Sequence, residues 1–109
     1  MFNSRAMVQD TYLPAADAAL YTVAAGYRGI VKEIILCNTD VAARTVTICF
    51  MKGGGTLAKG TVLNAYSLAP NESKILSLSS VLNATDAIHG VASAANVVTI
   101  LASGIEENV

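Results

Sequence analysis

The chain has 109 residues, of which 53% are hydrophobic and only 14% charged, with seven Lys and Arg against eight Asp and Glu. A composition this apolar and charge-poor excludes a disordered chain, and the balanced charge argues against an ordinary nucleic-acid binder. A small monomer needs a charged, patch-free surface, so the deficit points to a subunit whose outside is partly covered by another subunit.

Val, Ile and Thr dominate and fall in short runs between Gly, Pro, Asn, Asp and Ser clusters, which is the signature of strands and turns. In chain order the runs predict strands over Met7 to Leu13, Ala18 to Val23, Gly29 to Asn38, Arg44 to Met51, Thr61 to Ala69, Ser73 to Leu78, Ala87 to Ala92 and Asn96 to Ser103. Ser79 to Asn83 carries cap residue types compatible with one short turn of helix. Turn chemistry lies at Thr39-Asp40, at Lys52 with Gly53 to Gly55, at Pro70-Asn71-Glu72 and at Thr85-Asp86. The expected fold is all-β: a single antiparallel β-sandwich, jelly-roll-like, of about eight strands over residues 15–109. Residues 1–14 read either as an N-terminal arm or as the first strand.

The long charge-free stretch Ala87 to Ile105 is broken by Ser93 to Asn96 and is not expected to span a membrane. The N-terminus shows no signal-peptide pattern. Cys37 and Cys49 have no metal-site spacing and are too few for a disulfide scaffold; a cytosolic origin with both thiols reduced is the simplest expectation.

The two strongest runs, if joined as a hairpin centred on Ala43, set Cys37 opposite Cys49 and Ile35 opposite Met51. Ile34, Leu36, Val46, Ile48 and Phe50 then form the core face, and Ile35, Cys37, Thr39, Thr45, Thr47, Cys49 and Met51 the other. That second face is neither charged nor fully oily, which suits contact with a neighbouring subunit or cover by another part of the same chain.

Chemistry is sparse. His89 has Asp86 nearby in sequence, but that residue sits at a turn, and no nucleophile motif accompanies it. Gly53 to Gly55 with Lys52 and Lys59 lacks the Gly-Lys-Ser/Thr order of a phosphate loop and reads as a loop between strands. The carboxylates are dispersed, and Glu106-Glu107 reads as a solvated tail. The basic residues are spread out and the aromatics few, so no stacking groove is expected. These readings imply no enzyme, cofactor, metal or nucleic acid.

Leu20 to Gly26, followed by Gly29 to Thr39, resembles the opening of small tailed-phage virion proteins, in which such a stretch precedes an alternating Thr/Val strand and a Gly-rich loop. Leu68 to Ser73 and Leu82 to Ile88 fit two later turns of the same pattern, and the likeness extends over Ala18 to Gly104. The chain departs from it at Ala24, where Pro is common, and at Asn71 and Thr85, where Gly is common. The resemblance implies a β-sandwich building block of a virion, assembled in the host cytoplasm and carrying no catalytic residues. Within that class it favours a capsid decoration (cement) protein, a homo-oligomer with a trimer favoured, that binds the major capsid protein or another virion protein. A tail, baseplate or head–tail component and a carbohydrate- or receptor-binding module remain as alternatives. The candidate contact residues are Phe2, Met7, Val8, Tyr12 and Leu13 of the N-terminal segment, with Ile35, Cys37, Cys49 and Met51.

Overall fold

Alternation of β-branched with small polar residues becomes, in a pleated strand, one buried face and one outward face. The computed structural model describes residues 2–52 and 60–108, and eight strands form among them. They are β1 (Phe2–Tyr12), β2 (Ala18–Thr22), β3 (Tyr27–Asn38), β4 (Arg44–Met51), β5 (Thr61–Leu68), β6 (Ser73–Leu82), β7 (Ala87–Ala92) and β8 (Val98–Asn108). One sheet runs β1–β8–β3–β6 and the other β2–β7–β4–β5. All pairings are antiparallel. Two facing four-stranded sheets in this order are a jelly roll, so the sandwich expected from the sequence is the fold. The Gly53–Gly55 loop lies outside the described residues.

The core lies between the sheets. Val31, Ile34 and Leu36 of β3 and Val98, Ile100 and Ala102 of β8 line one side; Val46 and Ile48 of β4, Leu68 of β5 and Ile88 of β7 line the other. Full burial of an aliphatic side chain of this size contributes about 1.5–3 kcal/mol, and these are the molecule's main source of stability.

β3 and β4 do not form a hairpin. β3 pairs with β6 and β8, and β4 pairs with β5 and β7. The intervening turn carries the chain from one sheet to the other, so Ile34 and Leu36 are on the sheet facing Val46 and Ile48. Strand alternation is identical in either arrangement; the difference lies in the turn. Asn38 is fully buried there. Its Nδ2 donates to the carbonyls of Ala42 at 3.0 Å, Leu68 at 3.1 Å and Ala69 at 3.2 Å, and its Oδ1 accepts from the N–H of Asp40 at 3.0 Å. Asp40 in turn accepts from Arg44 Nε at 2.8 Å and from the N–H of Val41 at 2.7 Å. These bonds, Arg44's foremost, hold the Asp40 carboxyl below the usual carboxylate range.

One alternative left open is decided, and two further expectations change. The N-terminal segment is the sandwich's own first strand, paired with β8 from Phe2↔Glu107 to Tyr12↔Thr99. Met7, Val8 and Leu13 are buried in this chain's core, so the apolar spacing that suggested an arm belongs to an inward strand face. Ser79 to Leu82 is strand rather than helix, because Ser80 and Val81 pair with Val31 and Ile30. Glu106-Glu107 is not a tail: β8 continues through both. Glu106 accepts from the Tyr21 hydroxyl at 2.6 Å and from Arg5 at 3.3 Å, while Glu107 is buried against Arg28. Burial, together with the bond to Glu106, pushes the Tyr21 phenol up to about 12.

The two turns in which glycine was expected by resemblance do use the left-handed region, at Asn71 (φ 64°) and Thr85 (φ 72°). Asn tolerates it; a β-branched Thr is strained there. Two outcomes follow from these turns and from Asn38. Thr85→Gly should raise stability by about 1 kcal/mol by relieving that strain, read by denaturant unfolding. Asn38→Ala should cost about 3 kcal/mol in the same measurement, because buried backbone groups lose their partner.

Candidate functional site: the outer face of the β1–β8–β3–β6 sheet

Because Val31, Ile34 and Leu36 point inward, the residues between them point out, and the antiparallel register stacks them into rows. Tyr12, Thr99, Cys37 and Ser73 form one row. Leu101, Ile35 and Ile75 form the next, then Ala6, Ser103, Glu33 and Ser77, then Ser4, Ile105, Ile30 and Val81. Tyr12 (48% exposed), Leu101 (41%), Ile75 (60%) and Val81 (53%) all stand on this one face. A shallow groove lined by Thr11, Tyr12, Ile35, Thr99, Ile100 and Leu101 runs across it. Lys32 and Glu33, of opposite sign, are its central charges, and Lys32 Nζ lies 3.3 Å from Ser79 Oγ. A sheet face meant only for water alternates its buried side with polar residues; this one alternates with Ile, Leu, Tyr and Ser.

Of the residues singled out by sequence, the structure brings Tyr12, Ile35 and Cys37 together here. Met51 is half-buried on the opposite sheet. Cys49 is also on that sheet and fully buried, so it cannot be a contact residue. Met7, Val8 and Leu13 belong to the core, and the Phe2 side chain lies outside the described residues. Leu101, Ile75 and Val81 were missed, since the hairpin reading gave β3 the wrong neighbours. Alternation about Ile100 and Ala102 already marks Leu101 as outward.

The other sheet gathers three reactive groups. Cys49 of β4 lies opposite His89 of β7, and His89 Nδ1 is 3.1 Å from the Asp17 carboxylate. Asp17, not Asp86, is therefore the acid that meets the histidine. A cysteine, a histidine and an acid in this order suggest a nucleophile, base and orienter, but the thiol is wrong for it. Burial and the Asp17 charge push Cys49 up, away from thiolate. A Cβ built on Gly60 would stand 3.1 Å from its Sγ, so backbone closes over it. Among the described residues, no three His, Cys, Asp or Glu side chains form a metal-binding group. Cys37 and Cys49 sit on different sheets and form no disulfide with each other.

No family model and no curated protein sequence matches the chain. Solved structures do. The subunit of the disulfide-linked pili that form Bacillus endospore appendages superposes with a TM-score of 0.57 at 17% identity, over 99% of this chain and 88% of that one. A chain of the T13 particle of infectious bursal disease virus gives 0.56 at 10% identity, over 99% of this chain and 31% of that one, so this chain spans about a third of the viral protein. At these identities the likeness is one of fold.

The buried and outward thiols make a direct check. Under native conditions a water-soluble thiol reagent should modify Cys37 and leave Cys49 untouched until the chain unfolds, read by intact mass. Rapid native labelling of Cys49 would instead mark it as an accessible, reactive thiol.

Proposed function

We propose that this chain is a non-enzymatic structural subunit of a phage virion, a decoration protein that sits on the capsid shell and stabilises it. The observation that carries this reading is the outer face built from Tyr12, Ile35, Leu101, Ile75 and Val81. Apolar patches of that kind on a small rigid sandwich are docking surfaces, and charged residues are depleted from the centres of such contacts. The resemblance of Leu20 to Thr39 to tailed-phage virion proteins and the fold shared with a viral particle protein support the same class. Binding the shell but not its unfolded subunits would stabilise it by mass action.

The face contacts the major capsid protein or copies of this chain. A sugar- or receptor-binding module fits less well, because its aromatics would have to converge. Tyr21 is buried on Glu106, Lys74 lies 5.3 Å over the Tyr66 ring, Tyr27 packs on the core, and Tyr12 alone is exposed.

A second reading, a filament subunit, is favoured by the match across 88% of the pilus subunit. Disulfide-linked growth, however, needs at least two reachable thiols per copy, and Cys49 is buried. Electron microscopy of the concentrated protein distinguishes the two, since a filament former shows fibres without any shell present.

Shells assembled from the major capsid protein of the same genome test the first reading. The wild-type chain should co-sediment with them, and Leu101→Lys, exposed enough to fold normally, should weaken binding at least tenfold, about 1.4 kcal/mol. A wild-type chain that ignores the shells, or a variant that binds equally well, would overturn it.

A further inference from the structure

The four edge strands are unequal. An open edge presents unpaired N–H and C=O groups, and proteins blunt it with shortness, charge or bulges. β1 has two register shifts against β8 and carries Arg5. β2 has only five residues. β5 has two shifts against β4 and a left-handed Ala65 (φ 48°). β6 has the fewest of these protections, a single register shift against β3 and a single charge. It is ten residues long without Pro or Gly, and its exposure alternates without a break. The one irregularity in its pairing with β3 lies between Val31 and Glu33, where β6 advances three residues, Ser77 to Ser80, against two on β3; the exposure of β6 still alternates through it, while Lys32 and Glu33 of β3 both face out. Its single charge, Lys74, is turned over the Tyr66 ring at 5.3 Å.

We propose that β6 pairs antiparallel with β6 of a second copy about a two-fold axis at Leu78, joining the two β1–β8–β3–β6 sheets into one. This rests on the reading of the chain as an assembling subunit and names its first contact. The register follows from the side chains. An axis at Leu78 sets Ile75 opposite Val81 and, by symmetry, Val81 opposite Ile75, with Ser77 opposite Ser79 between them. Ile75 and Val81 are the two most exposed apolar residues of the sheet, and cross-strand β-branched pairs stabilise a sheet. Moving the axis to Ser77 or Ser79 puts both against polar residues. With the axis at Leu78, Lys74 faces Leu82 rather than another Lys, so no like charges meet. The resemblance to tailed-phage virion proteins favoured a trimer; this edge instead defines a two-copy unit, isologous as a two-fold contact must be.

Paired cysteines read the register directly. In the full chain with Cys37→Ser, the double variant Ile75→Cys/Val81→Cys should give a disulfide-linked dimer under mild oxidation. Either single variant should not, because each thiol then lies about 20 Å from its counterpart at the strand rise. Six residues of extended strand also prevent closure within one copy. Sedimentation velocity of the wild-type chain should show two copies at high concentration. Ile75→Lys/Val81→Lys should leave one copy, and Ile75→Glu/Val81→Lys should restore two. A wild-type chain that stays single at every concentration, cross-linking by the single variants, or an oligomer indifferent to these changes overturns the proposal. A two-copy chain that ignores capsid shells would instead overturn the decoration reading and leave the β6 contact standing.

Discussion

The architecture depends on the place where the chain leaves one sheet for the other. Asn38 ends β3, and a strand that continued would have turned back to pair with itself as a hairpin. Its amide instead reaches carbonyls on both sides of the gap, Ala42 in the crossing turn and Leu68 and Ala69 at the end of β5. One buried side chain thus pins the end of a strand in each sheet to the same point. Arg44 and Asp40, linked at 2.6 Å beside it, hold the turn from the solvent side. With that crossing set, β3 is free to take β8 and β6 as neighbours, and the outer face with its apolar rows exists only because of those neighbours.

Much of this was legible in the sequence. Strand alternation marks Ile34, Leu36, Val46 and Ile48 as inward and Ile35 and Cys37 as outward, and the structure agrees at each. What alternation does not carry is which strand lies beside which. Period-two patterns are the same for a hairpin and for a crossing between sheets, and the buried Asn38 looks like any turn residue. The same blindness hid the meeting of Asp17 with His89, which are 72 residues apart. Glu106 and Glu107 misled for a related reason. Two adjacent acids near a terminus read as solvated, yet Arg5, Arg28 and Tyr21 wait on strands far away in sequence.

The low charge content takes on a sharper meaning once its location is known. Arg5 and Arg28 are engaged by the end of β8, Arg44 by Asp40, Lys52 by Asp86 at 3.8 Å and Lys74 by an aromatic ring. Acids are held likewise: Glu72 accepts from the N–H of Ala69, and Asp86 caps the turn at Asn83. The charges tie strand ends and turns together and so sit around the margins of the sandwich. Little remains for the broad face of the β1–β8–β3–β6 sheet beyond Lys32 and Glu33. That face is charge-poor because most of the described ionic groups are engaged at the fold's periphery.

The two outer faces of the sandwich are consequently different surfaces. On the β2–β7–β4–β5 sheet the outward thiol of Cys49 is closed over by backbone at Gly60, and His89 is occupied by Asp17. Among the described residues, that sheet exposes a single large apolar side chain, Val62. On the other sheet Leu101, Ile75, Val81 and Tyr12 are left in the open, in rows that lead to β6, the least blunted edge among the described strands. A rigid sheet loses little internal freedom when it docks, which lowers the ordering part of the cost of association. In the proposed assembly that asymmetry gives the contact its direction, because the face with the larger exposed apolar area is the one that meets a neighbour.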